Sequence, residues 1–180
     1  MEVRQACSED IRTYADYGRA AQAMLRPRGL EQYVPAAHDA YAAVVRSKVE
    51  SGTLYTVWDC DTAVGFFSLD ATPAPWWPAD GELALYLEGM VVSPQARGCG
   101  VGSFILQWCL AEAGRRRCRF VRLDCHAENP WLCGYYEGHG FTLQGRVEQH
   151  SGYIGCLYQR EVTPPVGAPD AYCARQQRME

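Results

Sequence analysis

Leu87-Glu88-Gly89-Met90-Val91-Val92-Ser93-Pro94-Gln95-Ala96-Arg97-Gly98-Cys99-Gly100-Val101-Gly102 is the stretch around which the rest of the chain is arranged. Its apolar run, Met90-Val91-Val92, is rich in β-branched residues and is stopped by Ser93-Pro94, which reads as a buried strand ending at a breaker. Gly98, Gly100 and Gly102 follow at alternate positions, and Ser103-Phe104-Ile105-Leu106-Gln107-Trp108-Cys109-Leu110 then opens a helix-period pattern. The order is strand, glycine-rich turn, helix. Such a turn leaves backbone N–H groups free at the first turn of a helix, where the positive end of the helix dipole adds to them. A Cβ would hold an anion away from that backbone, and Arg97 adds a cation at the rim. The site suits a phosphate; the plainer alternative is a loop that only turns the chain.

Spacing excludes two phosphate loops. The dinucleotide fingerprint starting at Gly98 needs glycine where Ser103 stands, and the P-loop needs a Gly-Lys pair that is missing here. Arg97-Gly98-Cys99-Gly100-Val101-Gly102 instead resembles the R-x-x-G-x-G signature of the GNAT superfamily of acyl-CoA-dependent N-acyltransferases. The resemblance implies that Arg97, Gly98, Cys99, Gly100, Val101, Gly102 and Ser103 cradle the pyrophosphate of acetyl-CoA (coenzyme A).

The 180 residues suit one domain with a real core, and a net charge of −4 argues against a nucleic-acid partner. The basic run Arg115-Arg116-Arg117-Cys118-Arg119 follows Gly114, the expected helix end, and reads as a solvated terminus offsetting the helix dipole. Nine cysteines form no C-x-x-C, and the closest in sequence, Cys118 and Cys125, are seven apart. Reduced thiols in a cytosol fit this better than a disulfide framework or a zinc site. His38, His126, His139 and His150 lack ligand-like spacing, so no metal is expected. The N-terminus is polar and no apolar run approaches spanning length, so the expectation is a soluble, cytoplasmic protein without a membrane partner.

Along the chain, Val3 to Ala6 is a short strand, and Ser8-Glu9-Asp10 starts a helix with Ser8 as N-cap. Ile11, Tyr14, Ala15, Tyr17, Ala21 and Leu25 recur at helical spacing until Pro27 and Gly29. A second helix spans about Ala36 to Glu50, with Tyr41, Val44, Val45 and Val49 on one face. Thr53–Trp58 and Ala63–Leu69 form a hairpin around Asp59-Cys60-Asp61-Thr62. Ala71–Gly81 is a loop carrying Trp76-Trp77, and Leu83–Val92 is the long strand entering the glycine turn. Phe120–Cys125 is a strand, Asn129-Pro130 opens a helix through Glu137, and strands follow from Phe141 and over Tyr153–Val162. The prolines and polar residues beyond Thr163 make 164–180 a flexible tail.

The pattern predicts a mixed α/β (α+β) domain with antiparallel strands first and a strand–helix–strand crossover later. The GNAT fold has this order: a mostly antiparallel sheet of about seven strands flanked by about four helices, here over residues 1–163. The resemblance is specific from about Leu83 to Phe141 and rests on element order before that. In the family the sheet splays beside the strand at Met90-Val91-Val92, whose backbone groups then meet the pantetheine arm.

Acetyl transfer to an amine needs a held thioester, a base for the protonated amine, and a proton for the departing thiolate. Glu88 is the candidate base. Leu87-Glu88-Gly89-Met90-Val91-Val92 resembles the Leu-Glu-Asp segment of polyamine acetyltransferases, in which the matching glutamate has that role; Gly89 replaces the aspartate and removes one carboxylate. A glutamate on the solvent face of a strand is the alternative. Glu82 and Asp70 are weaker candidates that would attract a cationic amine. Asn129-Pro130-Trp131-Leu132-Cys133-Gly134-Tyr135-Tyr136-Glu137-Gly138-His139-Gly140-Phe141 resembles the family's N-x6-Y-x3-G-F segment. By that resemblance Tyr136 protonates the thiolate and Asn129 bonds the pantetheine arm. A phenol with a pKa of about 10 suits that donor role. Core packing is the alternative for Tyr136, helix capping for Asn129; Tyr135 matches less well and reads as core. Cys125-His126 and Cys133 sit in apolar patterns, which argues against an acyl-enzyme.

The expectation is a direct N-acetyltransferase acting on a small-molecule primary amine through a ternary complex, with Trp76, Trp77, Tyr33 and Tyr86 walling the acceptor pocket. A small amine is favoured over a protein tail because no separate recognition domain is evident. A second copy of the chain is a candidate partner. The rival readings are a same-fold enzyme using another acyl-CoA or an oxygen acceptor, and a non-catalytic acyl-CoA-binding module.

Overall fold

The computed structural model describes residues 1–30, 38–150 and 153–162, with backbone only at 38–42 and 150. Tyr33, the Tyr41 side chain and the tail from Thr163 lie outside the described residues. Among the described residues, seven strands and four α-helices follow in the order β1 (Glu2–Gln5), α1 (Asp10–Leu25), α2 (His38–Glu50), β2 (Leu54–Asp59), β3 (Thr62–Asp70), β4 (Ala84–Val92), α3 (Val101–Arg115), β5 (Phe120–His126), α4 (Pro130–Gly138), β6 (Thr142–His150) and β7 (Tyr153–Glu161). They build one sheet in the order β1-β2-β3-β4-β5-β7-β6. Every neighbouring pair is antiparallel except β4–β5, which is parallel and connected through α3. This is the expected mixed α/β architecture, strand count included.

Side chains alternate across the strands, so each covers two cores. On one face Phe67, Leu85, Leu87, Val121 and Leu123 pack with Ile105 and Leu106 of α3. On the other, Leu54, Phe66 and Val91 pack with Tyr14 of α1 and Val45 of α2. Each such fully buried side chain is worth about 1.5–3 kcal/mol over its exposed state.

Two irregularities of β4 position everything downstream. Glu88 pairs with Ser68 and Val91 with Phe66, so Gly89 and Met90 together face the single residue Phe67. That is a β-bulge, and Gly89 carries it with φ +57°, a conformation glycine reaches without steric cost. The Tyr14 hydroxyl donates to the Gly89 carbonyl at 3.2 Å and ties α1 to the bulge. On the other side, the β4–β5 ladder runs only from Ala84↔Phe120 to Leu87↔Leu123. β5 continues from Asp124 to His126 paired with β7 alone. The splay that the family resemblance implied is therefore present, and it begins at Glu88.

Several local expectations are corrected. Ser8 is not the cap of α1: the position before the helix is Glu9, without a side-chain bond, and Asp10 instead turns back to accept from the Cys7 amide at 2.9 Å. Val44 is exposed while Val45 is buried, because consecutive helical residues point in different directions. Helix α3 passes through Gly114 to Arg115. Its end is closed by Arg117 at φ +58°, with Cys118 N–H donating to the Ala113 carbonyl at 2.8 Å in a Schellman-type closure.

The bulge yields a stability test. A Cβ on Gly89 would lie 2.5 Å from the Tyr14 hydroxyl oxygen, and a left-handed alanine adds its own cost of about 1–2 kcal/mol. Gly89→Ala is expected to lower the urea-unfolding free energy by about 2 kcal/mol or more. In a Tyr14→Phe background the same substitution should cost less, because only the backbone part remains.

Candidate functional site

The strand-turn-helix passage is built as its composition dictates. After β4, Ser93 leads into a single 3₁₀ turn at Pro94–Ala96, Arg97 is extended, and Gly98 and Gly100 take φ of +77° and +81°. Cβ atoms at these two glycines would meet nothing within 4 Å among the described residues, which leave open space before the turn. The first helical amide bond of α3 is Phe104 N–H to the Gly100 carbonyl at 2.9 Å. The amides of Val101, Gly102 and Ser103 have no backbone acceptor among the described residues. Arg97 folds toward α1, where Nη1 lies 3.3 Å from Met24 Sδ, and its buried Nη2 has no partner among the described residues. Open space before two glycines, unpaired helix amides and an orphaned guanidinium nitrogen fit a diphosphate.

Helix α4 is docked onto this turn. Ser103 Oγ and His139 Nε2 are 2.8 Å apart, and His139 Nδ1 is 2.8 Å from the Tyr135 carbonyl. A carbonyl only accepts, so Nδ1 bears the proton and, in the neutral ring, Nε2 accepts from Ser103. Gly102 leaves room beneath them: a Cβ there would stand 2.5 Å from the Tyr135 hydroxyl, which would have to move. Tyr135 packs against the core as expected, and its hydroxyl also reaches the first turn of α3. The signal for this latch, a serine after the third glycine and a Tyr-x3-His pair on α4, is visible only once the two helices are known to meet.

Asn129 caps α4, its side chain accepting from the Leu132 amide at 3.2 Å. Tyr136 is buried, with its ring 6.0 Å from Phe141 and 6.2 Å from Tyr158. Cys125 and Cys133 bring their sulfurs to 3.8 Å as free thiols, and burial pushes the Cys125 thiol far up. That is the opposite of what a thiolate nucleophile needs.

Where the strands part, each contributes a carboxylate. Glu88 and Asp124 are the residues immediately after the last β4–β5 pair. Glu88 Oε2 accepts from Lys48 Nζ of α2 at 2.6 Å. Ser68, across the β3–β4 rung from Glu88, buries a hydroxyl with no partner among the described residues. Asp124 Oδ1 accepts from Trp76 Nε1 at 3.2 Å and Oδ2 from Gln149 Nε2 at 2.8 Å. Burial raises the Asp124 pKa, those two donors oppose the rise, and the charge of Glu88 adds to it. Asp124 is not among the site residues that the sequence motifs single out. Its signal was a carboxylate inside the otherwise apolar end of the Phe120–Cys125 run.

The expected aromatic wall is divided. Trp76 turns to Asp124, whereas Trp77 is buried with its ring 5.7 Å from Tyr86 and 5.2 Å from the Arg122 guanidinium. Arg122, itself buried, is held by Asp80 and anchors the 71–83 segment to the sheet. Glu82 is engaged by Arg119 at 2.7 Å, and Asp70 accepts from the Thr72 amide at 2.8 Å.

Comparison with known proteins places this geometry. The model of the acetyltransferase (GNAT) family matches residues 16–141. An uncharacterised N-acetyltransferase of Bacillus subtilis, YesJ, is 29% identical over 147 residues, covering 77% of this chain and 78% of its own length. A GNAT-family acetyltransferase from Streptococcus agalactiae superposes with a TM-score of 0.72 at 18% identity, over 91% of this chain and 96% of that one. One from Listeria monocytogenes gives 0.69 at 21%, over 89% and 94%.

The Asp124 environment predicts a pH dependence. Its folded pKa is raised, so the unfolded chain loses this proton first. The stability it contributes is present below the unfolded value and declines as pH rises through the window above it. A ¹³C carboxyl titration should place Asp124 above the ordinary 3.8. Gln149→Leu, which removes a donor to the charged form, should move it higher; a midpoint at or below 3.8 would contradict the environment described.

Proposed function

The chain belongs to the acetyltransferase (GNAT) family, and on that premise we propose that it transfers the acetyl group of acetyl-CoA directly to a primary amine of a small molecule within a ternary complex. The observation that carries this reading is the parting of β4 from β5 at Glu88 and Asp124, beside an open glycine turn. The amides of Gly98, Cys99, Gly100, Val101, Gly102 and Ser103, with Arg97, hold the diphosphate. The backbone of Met90, Val91 and Val92 and the side chain of Asn129 line the pantetheine arm. When bound, acetyl-CoA supplies an activated acyl carbon and a thiolate leaving group.

The chain's own residues manage protons. Glu88 takes the proton of the acceptor ammonium, and Tyr136 donates to the departing sulfur. Asp124 shares the opening with Glu88, so the acceptor surface carries two carboxylates, which supports a cationic amine over a neutral alcohol. The reading carries with it one domain over residues 1–163, with 164–180 as a tail. It places the enzyme in the cytoplasm, supported by the free thiols among the described residues, Cys125 and Cys133 unbonded side by side among them.

An amine panel with acetyl-CoA and thiol detection tests the activity directly. Tyr136→Phe is expected to lower kcat by about 10²-fold while coenzyme A affinity, read by calorimetry, stays near normal. Glu88→Gln should depress the rate mainly at low pH, where the acceptor is protonated. Unaltered turnover in the first variant would remove Tyr136 from the chemistry, and an unchanged pH profile in the second would leave Glu88 structural.

A further inference from the structure

Lys48 is the single lysine of the 180-residue sequence; every other basic side chain of formal charge is arginine. That one primary side-chain amine is placed on Glu88, with Nζ 2.6 Å from Oε2. A lysine in the last turn of α2 complements the helix dipole wherever it points. Its direction here is set from below. The Lys48 carbonyl accepts from the Thr53 amide at 3.0 Å, the Ser51 hydroxyl at 3.3 Å and the Thr53 hydroxyl at 3.4 Å, which locks the helix end onto the start of β2. The side chain leaves this anchor toward β4. Both partners are partly shielded, with side-chain exposures of 25% for Lys48 and 35% for Glu88.

A general base must stand within about 2.6–3.2 Å of the atom whose proton it takes. Lys48 Nζ meets that requirement toward the residue read as the base, beside the opening where the thioester is expected. The ammonium of Lys48 stands where the ammonium of an acceptor would have to stand. We propose that Lys48 is itself an acyl acceptor of this site: the chain acetylates its own Lys48 in cis from a bound acyl-CoA thioester, and the modification releases Glu88 from its ion pair. The inference rests on the acetyltransferase reading above.

The chemistry balances. Glu88 takes one proton from the Lys48 ammonium, and the freed nitrogen pair attacks the thioester carbonyl carbon. An N–C bond forms and the C–S bond breaks, with its electron pair leaving on sulfur. Tyr136 protonates that sulfur and is reprotonated from solvent; the second nitrogen proton passes to water. Lysine ammonium and acyl thioester become an amide, a free thiol and one proton. The product loses the positive charge. The buried Ser68 hydroxyl, across the rung from Glu88 and without a partner among the described residues, is then available to it as a neutral donor. An external amine no longer has to displace an internal one.

The full chain, incubated with acetyl-CoA and no added amine, should gain the mass of one acetyl group. Trypsin should lose its cleavage after residue 48, and the rate should not depend on protein concentration. Glu88→Gln should slow labelling about 10²-fold, and Lys48→Arg, which keeps the charge, should take no label. Coenzyme A binding is measured by calorimetry on the same preparations. Binding without labelling overturns this inference and leaves the proposed function standing, whereas no binding overturns both. Equal labelling of the urea-unfolded chain, or labelling of the Met1 amine alone, also overturns it.

Discussion

A strand cannot stay in register with two neighbours when one residue too many is inserted on one side. In β4 the extra residue sits at Gly89-Met90, opposite Phe67 alone. From there the strand still follows β3 to Val92 but no longer follows β5, whose last shared rung is Leu87↔Leu123. The wedge that results is the only place in the sheet where adjacent described strands run side by side and then separate. The glycine turn lies at the end of β4, α4 packs along β5, and the carboxylates of Glu88 and Asp124 flank the point of parting. The bulge is in turn held by Tyr14, so α1, although distant in sequence, belongs to the same device.

The wedge also separates the two carboxylates electrostatically. Glu88 faces a lysine ammonium. Asp124 is pushed upward by burial, against two neutral donors that hold its oxygens. Two acids on neighbouring strands thus occupy different environments, one beside a cation and the other between two neutral donors. The aromatic segment before β4 serves this division: Trp76 fixes Asp124, while Trp77 and Arg122 fix the segment itself.

Much of this was legible in the chain because it is local. The glycines of the turn, the Pro94 stop, the Asn129 cap and the element order follow from rules that act over a few residues, and the structure has them where the sequence placed them. What escaped depends on pairing across distance. Gly89 was legible as a missing aspartate but not as a positive-φ bulge, since a bulge exists only relative to a partner strand. Asp124 became meaningful once β5 lay beside Glu88. The Ser103–His139–Tyr135 latch needed α4 to meet α3. Even the local errors have this origin: Ser8 gave up the cap because Asp10 had a donor in Cys7 and a second in Thr56 of β2. Helix α3 outran Gly114 because Arg117 tolerated the left-handed turn.

The central claim is that the parting of β4 from β5, ending in the open turn at Gly98–Ser103, receives an acyl-CoA. A crystal structure of the protein grown with coenzyme A measures this most directly. The account predicts the diphosphate within hydrogen-bonding distance of the amides of residues 98–103 and the pantetheine arm lying between the separated strands, its sulfur directed toward Tyr136. Coenzyme A bound elsewhere, or a closed wedge with the turn's amides facing the protein interior, would contradict it.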